Sequence, residues 1–185
     1  MIDPALAQRI RLVGLDVDGV LTDNGILLGP VDGQVVELKR FDIQDGLGQV
    51  MLRTAGLPVV WVSGRHSAAT TARAEELRVE EVLQVPGPRK LEAFGALLER
   101  RGIAWEAAAF VGDDLADLQV LRRVGLPVAV ANAVAEVKAV ATLVTRAPGG
   151  HGAVREVAET LLKARGVWSE LLERYFSEPA AARGV

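Results

Sequence analysis

Cysteine is absent from the chain, which excludes disulfides, thiolate chemistry and Cys-ligated zinc or iron–sulfur centres and leaves packing alone to hold the fold. No charge of one sign prevails: 21 Lys and Arg stand against 24 Asp and Glu, and the net charge of -3 offers no broad footprint for a phosphate backbone. No apolar run approaches the ~20 residues of a membrane span. The N-terminal MIDPALAQRIRLVGLDVDG also lacks a basic segment followed by an apolar one. These absences lead to the expectation of a soluble cytoplasmic protein with no nucleic-acid and no membrane partner. What is present is apolar material, 50% of 185 residues, enough for one α/β domain over residues 1–185 with a continuous core.

Short apolar runs ending in Gly, Asp or Ser alternate with longer amphipathic stretches, the pattern of βαβ units around a parallel sheet. The runs occupy 11–17, 58–63, 79–84, 107–112, 127–131 and 141–145. Most lack period-two alternation, and their continuous Val, Leu and Ala character indicates burial on both faces. Together they predict a Rossmann-like doubly wound parallel sheet. Apolar residues at helical spacing mark the stretches that begin at Gln49, Ser67, Arg89, Leu115 and Gly152, several of which close on Gly. After the first run, NGILLGPVDGQVVELKRFD breaks the pattern. Two short strands with Gly-Pro and Asp-Gly turn signals predict a β-hairpin over 25–41 in place of a helix. It lies at the carboxyl end of the first strand, where open α/β sheets bind ligands, although an edge decoration would read the same way. Residues 166–185 read as a short amphipathic helix and a small-residue tail.

The run LDVDGVLTD delivers Asp16 and Asp18 at the end of the first strand. Extended backbone puts residues two apart on one face, so both carboxylates are expected to point at one spot. Two anions there repel unless a cation joins them or one is protonated. A solvated turn would use the same residue types. VGDDLADLQVL repeats the arrangement at a second strand end, where Asp113 and Asp114 follow Gly112 and Asp117 lies one helical turn beyond. Helix capping accounts for one of these acids. It does not account for acid pairs at two strand ends, which a parallel sheet brings to one edge. Carboxylate and carbonyl oxygens, with no Cys and few His, specify a hard cation such as Mg²⁺. Ser63, closing the second run, and the amides of Gly64 and Arg65 can hold an anionic oxygen, and Lys90 at a helix start can add positive charge. Singly, Ser63 reads as a cap and Lys90 as a surface lysine. As a set with the cation and a nucleophilic carboxylate, they suit a transferring phosphoryl group.

In this order and over nearly the whole chain, DxDGVLTD, SGR, a Lys and GDDxxD resemble the haloacid dehalogenase (HAD) superfamily of phosphatases. Within it, the lack of a separate cap domain, the hairpin, FDIQDGLG at 41–48 and GGHGAVREV at 149–157 resemble the 3-deoxy-D-manno-octulosonate 8-phosphate phosphatases. The resemblance implies an HAD-like fold and a Mg²⁺-dependent phosphoric monoester hydrolase working through an aspartyl phosphate. It implies that Asp16 attacks phosphorus, and that Asp18 protonates the leaving sugar oxygen and then deprotonates water while its backbone carbonyl binds Mg²⁺. Asp16 and Asp113 would be the side-chain metal ligands, with Asp114 and Asp117 in support. Ser63 and Lys90 would hold phosphoryl oxygens, and Gly64, Arg65, Arg73 and the Gln44-Asp45-Gly46 loop would contact a phosphorylated sugar acid. A homotetramer is also implied, with the hairpins assembled together and neighbouring subunits capping each site.

The chain departs from that pattern in two places. Many relatives have Asn-Val-Arg where it reads Asp42-Ile43-Gln44, and often Arg where it has Val50, so less positive charge is available for an anionic sugar acid. His66 and His151 read as surface or capping residues, and Trp61, Trp105 and Trp168 as core or interface anchors. Three alternatives remain beside the octulosonate enzyme. A phosphatase of a nonulosonate 9-phosphate would use the same centre. A non-catalytic oligomerisation module of the acylneuraminate cytidylyltransferase type would have no physical need for Asp16, Asp18, Lys90 and Asp113 together. A signalling receiver domain would carry its acceptor Asp on a later strand than the acid pair and leave the hairpin unexplained.

Overall fold

The structure, a computed structural model, describes residues 2–177, so the tail expected from 178 onward lies outside the described residues. The chain runs through α1 (Pro4–Arg9), β1 (Leu12–Leu15), β2 (Leu27–Val31), β3 (Gln34–Leu38), α2 (Ile43–Thr54), β4 (Val59–Ser63), α3 (Ala68–Glu76) and β5 (Glu81–Gln84). It continues through α4 (Lys90–Arg100), β6 (Ala108–Gly112), α5 (Leu118–Leu121), β7 (Leu126–Ala129), α6 (Ala135–Val140), β8 (Leu143–Val144), α7 (Ala153–Ala164) and α8 (Trp168–Ser177). The six apolar runs form one parallel sheet in the order β5-β4-β1-β6-β7-β8. Winding therefore reverses between β1 and β6, the doubly wound topology that the alternation predicts, and this reversal is where such sheets bind ligands.

Helices cover both faces because side chains alternate along each strand. Trp61 on β4 points to the α2 side, where its indole N–H donates to Gln49 Oε1 at 2.7 Å and its ring stacks on Phe41. Gly14 on β1 faces the other way, toward α4: a Cβ there would meet Phe110 at 2.7 Å and Phe94 at 2.8 Å. Two buried phenylalanines thus occupy the space that a side chain at Gly14 would need. On the α2 side, α2 packs on α7, which also meets α1 and α8; on the other, α5 packs between α4 and α6. Gly56, Gly102 and Gly166 adopt left-handed backbone just beyond α2, α4 and α7, as the glycine stops predict. Trp105 and Trp168 are half-buried under Arg123 and under Arg155 and Lys163, respectively.

Several boundaries differ from the sequence expectations. The hairpin forms as a separate two-stranded sheet, but its turn is Asp32-Gly33 alone, both with positive φ, while Gly29 and Pro30 lie within β2. Two left-handed residues make the hairpin turn whose twist matches the flanking strands, so no Gly-Pro turn is needed. Gln44, Asp45 and Gly46 are the first turn of α2 rather than a loop, because Asp42 caps the helix by accepting from the Gln44 amide at 2.7 Å. The stretch from Leu115 begins with a 3₁₀ turn and keeps only four residues of α-helix in α5. Helices α1 and α6, six residues each, are too short to show a period.

Candidate active site

Strand pairing places the two acidic strand ends side by side. Leu15 is in register with Val111, and the Asp16 amide donates to the Val111 carbonyl at 3.0 Å. Asp16 and Asp113 therefore leave the sheet at adjacent carboxyl ends, and one oxygen each of Asp16, Asp113 and Asp117 falls within a 4.8 Å group. All three are buried, as is Lys90, whose Nζ lies 2.7 Å from Asp16 Oδ1 and 2.8 Å from Asp117 Oδ1. Lys90 is thus an internal lysine, delivered by the first residue of α4. The second oxygen of Asp117 accepts from the amides of Asp113 and Asp114 at 3.1 and 3.4 Å, so Asp117 fixes the loop and aims the ammonium. Asp114 is exposed and caps the following turn through the Leu115 amide.

Three carboxylates around one ammonium leave an excess of buried negative charge. Burial, then the Asp117 charge, push the Asp16 carboxyl well above its ordinary range despite Lys90. Burial, then Asp117 and Asp114, push Asp113 up to about 7. Burial alone would lower the Lys90 ammonium, but Asp16 and Asp117 outweigh it and hold it above its ordinary value. Asp113 Oδ1 is buried with no hydrogen-bond partner. Oxygen donors, surplus negative charge and an orphaned carboxylate oxygen are what Mg²⁺ requires, and Asp16 and Asp113 are the side chains that would hold it. Gly19, with φ of 88°, is necessary beside them: a Cβ there would fall 2.0 Å from Asp113 Oδ2.

The Asp18 carboxylate takes partners other than those of Asp16. The chain leaves extended geometry after Leu15 and turns at Gly19, so the face-sharing rule of a strand no longer applies. The half-buried Asp18 carboxylate faces Lys39 Nζ at 2.6 Å and Arg65 at 3.7 Å. Arg65 is also bonded to Glu37 at 2.7 Å, and this contact ties the Ser63–Ser67 loop to the hairpin. Ser63 is buried at the end of β4; its hydroxyl donates to the Arg65 carbonyl at 2.9 Å and accepts from the Arg65 amide at 3.2 Å. A Cβ on Gly64 would touch Lys90 Cε at 3.4 Å, so this loop runs against the ammonium that Asp16 binds.

The remaining candidates lie around this centre. Gln44 is exposed at the start of α2. Asp45 is buried, and its oxygens accept from the Gly152 and Arg155 amides at 3.2 and 2.8 Å. The N-cap position of α7 is Gly152, which has no side chain to cap the helix, and Asp45 supplies the cap from α2. Gly46 gives room to Arg73, whose guanidinium pairs with Glu76 at 2.7 Å and keeps a buried Nε without a partner. His66 and His151 are exposed, the latter with Nδ1 2.9 Å from the Gly149 carbonyl.

Three residues with clear placement were not signalled by the sequence. Arg40 donates to the Gly150 carbonyl at 2.7 Å and puts a cation four residues before Gln44. Asn132 donates to the Gly19 carbonyl at 3.1 Å and accepts from the Gly149 amide at 2.7 Å, clamping two loops over the centre. Lys39 is the third. Each acts across more than 15 positions of sequence, and no local spacing reports such a contact.

Comparisons with known proteins agree with this fold. The family model of the haloacid dehalogenase-like hydrolases matches residues 83–156, from β5 to the first turn of α7. The 3-deoxy-D-manno-octulosonate 8-phosphate phosphatase of Escherichia coli (strain K12) is 44% identical over 166 residues, covering 90% of this chain and 86% of its own. The crystal structure of the Moraxella catarrhalis phosphatase of that name, in complex with magnesium, phosphate and a KDO molecule, superposes with a TM-score of 0.87 at 36% identity, covering 93% of this chain and 97% of its own. The cobalt-bound Haemophilus influenzae enzyme gives 0.81 at 32% identity, covering 91% and 99%. Identity of that extent, on the same fold and without long unmatched segments on either side, means that the chain belongs to the haloacid dehalogenase-like hydrolases, within the sequence family of the 3-deoxy-D-manno-octulosonate 8-phosphate phosphatases.

Proposed function

We propose that the protein is a Mg²⁺-dependent phosphatase that hydrolyses 3-deoxy-D-manno-octulosonate 8-phosphate. The observation that carries this reading is the buried Asp16, Asp113, Asp117 and Lys90 cluster, with one carboxylate oxygen left without a partner. A scaffold module would be more stable with apolar residues there, because burying these charges is costly.

The substrate's phosphoryl group is taken up beside Asp16, where the Lys90 ammonium and the Ser63 hydroxyl, on releasing the Arg65 carbonyl, would hold its oxygens. Mg²⁺, when bound by Asp16, Asp113 and the Asp18 backbone carbonyl, offsets the charge of carboxylates and phosphoryl oxygens that would otherwise repel. Asp16 forms a bond to phosphorus as the bond from phosphorus to the sugar oxygen breaks, and Asp18 gives that oxygen its proton. Asp18 then takes a proton from water, which attacks phosphorus, releases phosphate and restores the Asp16 carboxylate. Arg65 and Arg73 would meet the sugar carboxylate by exchanging it for Glu37 and Glu76, and Arg40 would add positive charge that Gln44 lacks. Leu27, Leu28, Val31, Val35 and Leu38 on the hairpin are exposed apolar residues, which suits a homotetramer assembled through 25–41.

Phosphate release from a panel of phosphorylated sugar acids tests the reading. The eight-carbon 8-phosphate is expected to give the highest kcat/KM, with no turnover in EDTA and recovery on adding Mg²⁺. A nine-carbon 9-phosphate preferred over it would reassign the substrate.

A further inference from the structure

The Lys39 side chain is completely buried, although it stands just past the end of a hairpin whose other residues are largely exposed. A buried ammonium is costly unless it is paired. Its Nζ lies 2.6 Å from Asp18 Oδ1, 3.4 Å from Thr70 Oγ1 and 3.7 Å from Glu37 Oε1. Glu37 in turn accepts from Ser67 Oγ at 2.6 Å and from Arg65 at 2.7 Å, contacts that hold its carboxyl below the usual range. Arg65 completes the ring at 3.7 Å from Asp18 Oδ2. Two carboxylates and two cations therefore balance, and each oxygen of Asp18 faces a cation anchored by Glu37. An apolar side chain of the same length would fill this space without desolvating a charge, so packing does not call for a lysine.

We infer that Lys39 is the positioning residue for Asp18: its ammonium fixes the orientation of the carboxylate that exchanges protons with the sugar oxygen and with water. The inference rests on the acid/base reading of Asp18. Both proton transfers need that carboxylate in a narrow range of positions, and a side chain free to rotate spends little time there. Lys39 thereby joins the hairpin to the chemistry and not only to assembly.

Lys39→Met, Lys39→Arg, Asp18→Asn and the Lys39→Met/Asp18→Asn double variant, assayed with Mg²⁺ and followed by thermal melting, test this. Lys39→Met is expected to lower kcat by roughly tenfold to a hundredfold with KM changed by less than about threefold, since the interaction acts on the reacting groups rather than on binding. Lys39→Arg, which keeps the charge, is expected to recover most of the loss. In the Asp18→Asn background, Lys39→Met is expected to cost little more, because its effect passes through Asp18. A melting shift with unchanged kcat, or an undiminished loss in the Asp18→Asn background, would overturn the positioning role. Full activity of Asp18→Asn alone would instead overturn the acid/base reading beneath it.

Discussion

Lys90 shows how far residue type and spacing lead and where they stop. The sequence places a lysine at a helix start, a position where a solvated side chain is the common outcome. Only the convergence of β1, α4 and the turn after β6 reveals an ammonium bonded to two buried carboxylates. Removing one partner of such a group leaves the others uncompensated. Lys90→Met is expected to destabilise the metal-free protein by about 3–5 kcal/mol, and by less with Mg²⁺ present, because the cation takes over the charge of Asp16. Denaturant unfolding in EDTA and in Mg²⁺ measures both; equal losses in the two conditions would argue against a shared site. Asp16 and Asp113 were legible because acids gathered at two strand ends of one sheet repel one another and call for a cation between them. The partners of Asp18 were not, since Lys39 and Arg65 reach it from the hairpin and from the loop after β4.

At the scale of elements, the strands were legible because their apolar runs are continuous, and the helices in proportion to their length. Contacts between distant elements were not. Asp45 and Gly152, 107 positions apart, illustrate this: one element lacks a cap and another provides it. Burial pushes the Asp45 carboxyl up to about 6, against the weaker effect of the Arg155 and Gly152 amides. A folded-state value above the unfolded one means that the folded form holds its proton longer, so stability from this group is full below about pH 4 and falls as pH rises through 6. Asp45→Asn has no such slope. It is expected to cost most at pH 5 and progressively less toward pH 8, measured as the difference in unfolding free energy from the wild type. A cost that grows with pH would show that the carboxylate form is the stabilising one.

At the scale of the molecule, one topological fact organises the rest. Reversal of winding between β1 and β6 sets two acid-bearing strand ends together, and the hairpin after β1 stands beside them with apolar residues exposed on both of its faces. Cross-strand partners Leu27 and Leu38 share the face opposite Glu37, which pairs with Arg65, so a charge at Leu38 leaves that ion pair in place. Leu38→Asp is therefore expected to shift the proposed tetramer toward smaller species in light scattering and to raise KM, with little change in melting temperature. An unchanged assembly would move the interface elsewhere. The central claim, covalent catalysis by Asp16, is tested most directly by quenching the enzyme during turnover of 3-deoxy-D-manno-octulosonate 8-phosphate with Mg²⁺, reducing it with borohydride and sequencing the modified peptide. An aspartyl phosphate reduces to homoserine, expected at position 16 alone and only when substrate and Mg²⁺ are both present; sustained turnover with no modification at Asp16, or with modification at another acid, would contradict the account.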